Sequence, residues 1–506
     1  MQGCAIAAIL IALAANAARA EGPPFELREL PGVGRIVAAE FADLDGDART
    51  DLFAVSFSGL PPDESRSLRV YYQRSDGSFP EAADWSGPLP SGAAAYDVVD
   101  LPDGPGRELV VLRRRRLSVL SFAEREASAR DIPIDGPPTI ALTEDERGFD
   151  RLPLLRPELG DPLRFALPGL GEIIIVETSG EIISRLDVGS RANFFLPPSP
   201  GPLLSESEAE IYFDLPKVNI GDVDGDGRPD LIASTRHEIR VFRQREGGAF
   251  FEGADRVLAL ERMSEGDHIR GSGSVRVAAS DFNADGRVDL LITHTSGGLF
   301  RATTVAGVHL NRDGRWDLDE ADQLFRTEGG FSTWQLQDLD GDGRGELLAV
   351  RMPIGILEII EFFVTRSLDA EVLIYRAPLS GGFSQRPSFK RNLSLAFNFE
   401  TMRPRGFIPT FQADVNGDGH RDFLDSGGGD AVKIALGGEG WEYKKRAAQM
   451  KLDSDGRIRF GDVDTDGLAD FLIYDPQRPE SPIRIGINRG TLDTRLKIGP
   501  TTPAAR

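Results

Sequence analysis

The sequence predicts an all-β fold, a β-propeller of four-stranded blades with eight blades favoured and seven possible. Three observations predict it. One acidic nine-residue pattern recurs six times, each copy runs straight into a short apolar stretch, and a second short strand follows each one. Short β-units repeated at about 60 residues pack radially, each sheet burying a face on the next. A ring also removes the exposed sheet edges that an open stack would leave.

The clearest copy of the pattern is Asp222-Val223-Asp224-Gly225-Asp226-Gly227-Arg228-Pro229-Asp230, followed by Leu231-Ile232-Ala233. Carboxylates stand at loop positions 1, 3, 5 and 9, and glycine stands at position 6. Alternate positions of a tight loop turn their oxygens inward, and the backbone carbonyl at position 7 adds another donor. This is the donor set Ca²⁺ takes, roughly six to eight oxygens with modest geometric demands. Glycine at position 6 accepts positive φ without a Cβ clash.

The expected ligands are Asp43, Asp45, Asp47 and Asp51 in the first loop. In the second they are Asp222, Asp224, Asp226 and Asp230 with the Arg228 carbonyl. The third has Asp281, Asn283, Asp285 and Asp289 with Arg287, and the fourth Asp338, Asp340, Asp342 and Glu346 with Arg344. The fifth has Asp414, Asn416, Asp418 and Asp422 with His420, and the sixth Asp462, Asp464, Asp466 and Asp470 with Leu468. Ala48 replaces the position-6 glycine in the first loop, which makes that site the doubtful one. An EF-hand would need a bidentate Glu at position 12 and a helix on each side. Position 12 here is Ala54, Ala233, Ile292, Ala349, Asp425 or Ile473, within apolar runs that read as buried strands.

The loops start at 43, 222, 281, 338, 414 and 462. The first gap holds about three units, so two worn copies are expected inside it. Asp100-Leu101-Pro102-Asp103-Gly104 through Glu108-Leu109-Val110 is one, and Leu167-Pro168-Gly169-Leu170-Gly171 through Val176 is the other. Neither keeps a usable ligand set. Second strands follow at Leu68–Tyr72, Leu117–Leu120, Glu181–Ser184, Glu238–Phe242, Gly307–Asn311, Val372–Tyr375, Val432–Ala435 and Ile483–Asn488. Phe25–Leu30 and Thr494–Ile498 are expected to pair and close the ring.

The net charge of −22 is ligand supply more than a sign of a basic partner, because the six loops alone hold 22 carboxylates. Nucleic-acid binding would want a basic face, and this balance argues against it. Residues 1–20 read as a secretory signal: a short apolar core at Ala5–Leu13, then the small-x-small site Ala18-Arg19-Ala20. Residues 21–506 then form a single propeller domain without cysteine, since Cys4 is the one cysteine. Export places the protein outside the cell, in the periplasm or on the cell surface.

The pattern Asp-x-Asp-x-Asp-Gly-x-x-Asp-Leu, with a second strand of Val-x-Leu-Asn character, resembles the FG-GAP/VCBS repeats. These build the β-propeller of integrin α-subunits and of many secreted bacterial proteins. The resemblance implies a propeller with calcium in hairpin loops. It implies no single function, because binding proteins and polysaccharide lyases both use the scaffold.

The longest interval between intact neighbours outside the first gap carries an apolar stretch at 354–364, expected to be an inserted helix within about 353–366. Packing on the propeller body is the favoured reading, and membrane or partner docking the lesser one. His237, His268, His294, His309 and His420 show no zinc-ligand spacing, and no nucleophile elbow or phosphate loop occurs. Arg113–Arg116 falls where a solvated hairpin turn is expected. No catalytic residue is assigned. The expected function is a secreted calcium-binding propeller acting as a binding, interaction or structural module toward a protein or carbohydrate ligand. The alternative is a calcium-dependent polysaccharide lyase.

Overall fold

The computed structural model describes residues 23–492 apart from 61–62, 103, 136–138, 140–148, 170, 190–191, 196–209, 214–215, 265–272, 298–301, 329, 343, 354–355, 378–381, 399–402, 439–442 and 444–447. The signal-like segment 1–20, the ring-closing stretch 494–498 and His268 therefore lie outside the described residues. Eight blade sheets are present among those described, the number the sequence favours. They fall into two compact units, one reaching Pro88 and resuming at Pro404, the other spanning Leu89–Arg403.

The first unit holds three four-stranded antiparallel sheets. The first blade runs Arg35–Ala42, Asp51–Ser58, Ser65–Tyr71 and Trp85–Pro88. The seventh runs Thr410–Ala413, Asp422–Asp425, Ala431–Ala435 and Ala448–Lys451, so the short interval between its loop and the next still contains a full blade. The eighth takes Arg457–Gly461, Asp470–Tyr474 and Ile483–Asn488 from the C-terminal end and Phe25–Leu30 from the N-terminal end.

The N-terminal strand joins the C-terminal strands in one blade, while the stretch 494–498 that the sequence puts beside it lies outside the described residues. The partner of Phe25–Leu30 is Ile483–Asn488, in register from Phe25↔Asn488 to Leu30↔Ile483. The reason is apolar: Phe25 is buried edge-on against Phe471 at 4.9 Å, and Leu30 is buried at the other end. The N-terminal strand thus covers backbone groups that a bare edge would leave open.

The second unit holds five blades. The second blade is Ala95–Val99, Glu108–Arg113, Arg116–Ser121 and Ser128–Pro133, with Asp150–Arg151 added in parallel beside Ala95 and Tyr96. The third has three strands, Arg164–Pro168, Glu172–Glu177 and Ile182–Asp187. The fourth is Lys217–Gly221, Asp230–Ser234, Glu238–Phe242 and Arg256–Ala259. The fifth is Gly273–Ser280, Asp289–Ser296, Thr303–His309 and Gln323–Glu328. The sixth is Gly330–Gln337, Glu346–Pro353, Ser367–Tyr375 and Phe389–Asn398, continued by Arg403–Pro404.

The apolar run after each loop is the second strand of its blade, and it is buried on both faces, as at Asp230–Ser234 and Asp470–Tyr474. Alternation fails there because neighbouring blades cover both sides. Ile232, Ile239 and Val241 of the fourth blade pack with Val277, Leu290 and Ile292 of the fifth. Leu424, Val432 and Ile434 of the seventh pack with Phe25, Phe471 and Ile473 of the eighth. Each such side chain contributes about 1.5–3 kcal/mol on burial.

The insertion is a helix, Ile356–Thr365, between the second and third strands of the sixth blade. Phe362 meets Phe397 edge-on at 5.3 Å, while Phe363 and Val364 are exposed. No helix among the described residues is long and apolar enough to cross a membrane.

Candidate metal centres

Each acidic loop links the first strand of a blade to the second, and its own side chains fold it. The position-1 carboxylate accepts backbone N–H groups from within the loop. Asp222 takes Gly225 and Gly227, both at 2.7 Å, and Asp414 takes Gly417 and Gly419, both at 2.8 Å. The position-5 carboxylate accepts the N–H of position 7 at 2.9 Å, as between Asp226 and Arg228 or Asp466 and Leu468. Such Asp side chains mimic a backbone turn.

Position 6 has positive φ in the five loops where it is described, and in the first of them Ala48 adopts +66°. Position 4 is left-handed too, at Gly46, Gly225, Gly341 and Gly417 but also at Ala284 (φ 58°) and Thr465 (φ 60°). Non-glycine residues are strained in that region. Three loops therefore hold one strained residue each.

The position-9 side chain is the keystone. Asp51, Asp230, Asp289, Glu346, Asp422 and Asp470 are each no more than 1% exposed. One oxygen accepts the position-2 N–H of its own loop, as from Val223 to Asp230 at 3.0 Å or Val463 to Asp470 at 2.7 Å. In five blades the other oxygen accepts an N–H just beyond the third strand: Gln73 to Asp51, Gln244 to Asp230, Asn311 to Asp289, Gly437 to Asp422 and Asn488 to Asp470. The carboxylate thus ties the loop to a strand 14 to 22 residues away. The worn copy in the second blade keeps the device, because Glu108 accepts the N–H of Leu101. The third blade has replaced the loop with a short turn in which Gly169 donates to the Glu172 carbonyl.

Burial pushes these carboxyls up. Asp51 and Asp230 rise to about 6, and Asp289, Glu346, Asp422 and Asp470 to about 7. Their backbone hydrogen bonds pull the other way, and neighbouring loop carboxylates add to the rise. A buried acid facing other acids is a group that a cation would relieve.

The loops do bring ligand atoms together. In four of them the carboxylates of positions 1, 3 and 9 converge within 4.8 Å: Asp43, Asp45 and Asp51; Asp222, Asp224 and Asp230; Asp338, Asp340 and Glu346; Asp462, Asp464 and Asp470. Two position-3 oxygens, Asp224 Oδ1 and Asn416 Oδ1, are buried without a hydrogen-bond donor. A hard divalent cation fits this set: oxygen-only, anionic and with unspent acceptors. Position 5 stands apart from these groups. Asp47 and Asp226 pair with Arg49 and Arg228 of position 7, while Asp285 and Asp418 accept from the position-3 amides of Asn283 and Asn416 at 2.9 Å.

Residues the sequence reading passed over join one blade to the one before it. Beyond its third strand the Asn311 side-chain amide donates to the Val223 carbonyl of the preceding blade's loop at 2.8 Å and to Val288 of its own at 3.0 Å. Asn488 does the same toward Val415 and Ala469, at 2.7 and 3.2 Å. Gln73 reaches Val463, and Gln244 reaches the Leu159 carbonyl next to the third blade. The asparagine that ends the Val-x-Leu-Asn stretch was the signal for this latch.

His237 and His309 lie outside the loops. His309 Nδ1 meets the Asp317 carbonyl at 2.5 Å, and His237 Nε2 accepts from Arg236 Nε at 2.8 Å. His420 occupies position 7 and uses its N–H on Asp418. Arg113–Arg116 forms the expected hairpin turn, with Arg116 paired to Asp131 at 2.9 Å.

Residues 222–292, from the fourth blade's loop to the second strand of the fifth, match the model of the FG-GAP-like repeat. No curated protein matches the sequence. Among solved structures the chain is similar to an Agrocybe aegerita lectin described as recognising non-reducing terminal N-acetylglucosamine, at 13% identity over 90% of this chain and 86% of that one, with a TM-score of 0.36. It is similar to Sqt1 from Chaetomium thermophilum at 12% identity over 90% and 97%, with a TM-score of 0.44. It is also similar to the V. cholerae biofilm matrix protein Bap1 at 13% identity over 93% and 90%, with a TM-score of 0.32. At these scores the likenesses carry no argument about function. Residues 222–292 are an FG-GAP-like repeat, set in a chain of eight propeller blades as the resemblance to the FG-GAP/VCBS and integrin α-subunit repeats implies.

Proposed function

We propose that this chain is an exported, calcium-stabilised propeller protein that serves as a binding or structural module, with a protein or carbohydrate as its ligand. The observation that carries the calcium reading is the convergence of positions 1, 3 and 9 within 4.8 Å in four loops, around carboxyls that burial has pushed up to about 6 or 7. In each loop the metal would be held by the position-1, -3 and -9 side chains, with Asn283 and Asn416 supplying the position-3 oxygen in the third and fifth loops. Bound calcium supplies neutralising charge there. The ion would stabilise the loop and, through the position-9 carboxylate, the strand beyond it. The extended surface of a blade array suits a binding role, and the acidic balance disfavours nucleic acid as the ligand.

Thermal unfolding in EDTA and in excess Ca²⁺ tests the reading. A ligand that binds only the folded state raises its stability with concentration. The melting temperature should fall on chelation and recover on adding calcium, and an unchanged midpoint would contradict the proposal.

A further inference from the structure

The amide latches between blades do not run the whole length of the chain. The latch residue is the one whose N–H reaches a position-9 carboxylate. Gln73, Gln244, Asn311 and Asn488 bring a side-chain amide to that place, whereas Gly437 in the seventh blade brings none. In the sixth blade the pairing Leu347↔Tyr375, equivalent to Leu52↔Tyr71 in the first, puts Ala377 there. Two runs of loops follow. The fifth, sixth and first loops are linked within the first unit, and the second and third within the second unit. No such amide reaches the fourth loop among the described residues.

In the first unit the link is a continuous relay of hydrogen bonds. Asp422 of the fifth loop accepts the Val415 N–H at 2.7 Å, and the Val415 carbonyl accepts the Asn488 side-chain amide at 2.7 Å. The Asn488 backbone N–H then donates to Asp470 of the sixth loop at 2.6 Å. The pattern repeats one blade on. Asp470 accepts the Val463 N–H at 2.7 Å, the Val463 carbonyl accepts the Gln73 side chain at 2.7 Å, and the Gln73 N–H donates to Asp51 of the first loop at 2.9 Å. Asn488 and Gln73 are 2% and 3% exposed, which keeps bulk water from replacing either amide. A second tie runs beside each: the Ala469 N–H donates to the Asp414 carbonyl at 3.3 Å, and the Thr50 hydroxyl to the Asp462 carbonyl at 2.8 Å. Position 8 of one loop thus holds position 1 of the loop before.

All three loops have unspent oxygen. Positions 1, 3 and 9 converge in the first and sixth, and in the fifth Asn416 is 5% exposed with its Oδ1 buried and without a donor. In an empty loop these like charges repel one another. The position-2 peptide stands between its own loop's position-9 carboxylate and the next blade's latch, so ordering one loop fixes part of the frame of the next. A site that a neighbour has already ordered binds with less loss of entropy. One effect opposes this, since a filled loop is less negative and draws a second cation less strongly. It acts through exposed groups such as Asp462 and Asp464, which salt screens over about 8 Å at physiological ionic strength. The buried relay is not screened.

We infer that the fifth, sixth and first loops bind calcium as one positively coupled array, each filled loop raising the affinity of its neighbour through Asn488 and Gln73. The inference rests on the calcium reading of the loops and adds to it an order of filling: a coupled run of three, a coupled pair and a lone fourth loop. Coupling between sites spans about 5- to 150-fold in affinity, and a relay of this length is assigned the low end, about fivefold per junction.

The test is a Ca²⁺ titration of the metal-stripped full chain in physiological salt, with hydrogen exchange read by mass spectrometry loop by loop. In the parent, the first, fifth and sixth loops should gain protection together and more steeply than an independent site, while the fourth follows a one-site curve. Asp464→Ala should raise the calcium midpoints of the first and fifth loops about fivefold and leave the fourth unmoved. Coupling is reciprocal, so Asp45→Ala should shift the sixth loop by the same factor as Asp464→Ala shifts the first. Gln73→Ala keeps the N–H on Asp51 and removes only the amide. In that background Asp464→Ala should lose most of its effect on the first loop and keep its effect on the fifth. Unmoved midpoints in Asp464→Ala, an equal shift in the fourth loop, or a first-loop shift that survives intact in the Gln73→Ala background would overturn the inference. Should Asp464→Ala fail to fold, the steepness of the first loop's curve decides, since Gln73→Ala must flatten it. One-site filling of every loop would overturn the coupling and leave the calcium reading standing. No protection of any loop at millimolar Ca²⁺ would overturn both.

Discussion

Asn311→Ala isolates the latch between blades from any metal, because Asn311 is not among the loop ligands. Its side chain is 4% exposed and makes three hydrogen bonds: Nδ2 to the carbonyls of Val223 and Val288, and Oδ1 from the N–H of Gly314. A neutral hydrogen bond contributes about 0.5–1.5 kcal/mol net, and a stranded buried partner costs more. Val288 keeps a second donor in Trp316 Nε1 at 2.9 Å, so Val223 and Gly314 are the groups left short. The expected loss is about 3 kcal/mol. The assay is urea unfolding in EDTA followed by tryptophan fluorescence, with exposed Asn392→Ala as the control, expected within about 0.5 kcal/mol of wild type. If Asn311→Ala also lies within about 0.5 kcal/mol of wild type, the latch contributes nothing and the reasoning fails.

The other predictions follow from the same geometry. In EDTA, stability should fall as pH rises from about 4 to 7: the position-9 carboxyls have folded values near 6 or 7, above the unfolded ones, so the folded state holds extra protons that are lost in that window. Saturating Ca²⁺ should abolish that slope, and a melting temperature in EDTA that rises across the window would count against it. Asp224→Ala should weaken calcium-induced stabilisation more than Asp100→Ala in the worn loop, as read by melting over a calcium titration; equal effects would show that the intact and worn loops were confused. Deleting Phe25–Leu30 should destabilise the eighth blade and expose the Ile483–Asn488 edge, seen as faster hydrogen exchange there; unchanged exchange would refute the pairing's importance.

The fold was legible because the loops repeat. Repetition fixed the apolar strand after each loop and the strand beyond it, and Glu238–Phe242 and Ile483–Asn488 fall where the sequence put them. The strand before each loop was harder to see. Lys217–Gly221 is five residues long with Asn219 and Gly221 inside it, so neither alternation nor an apolar run marks it. The left-handed turn at position 4 was hidden at Ala284 and Thr465, where no glycine announces it. The carboxylate at position 9 was recognised by type, but not as a clamp on two segments, because its second donor arrives from a distant strand. The pairing of Phe25–Leu30 with Ile483–Asn488 was not legible for a similar reason: Phe25 packs on Phe471, 446 residues away in sequence and adjacent only after folding.

The central proposal is that the acidic loops hold several calcium ions, at most six, and counting bound metal tests it most directly. Equilibrium dialysis of the chelator-stripped protein against Ca²⁺, with bound metal read by mass spectrometry, should give several ions per chain and no more than the six loops can accept. Each of Asp224→Ala and Asp464→Ala should remove one ion from that count. A chain that takes up no calcium at millimolar free Ca²⁺, or that keeps its full count after both substitutions, would contradict the account.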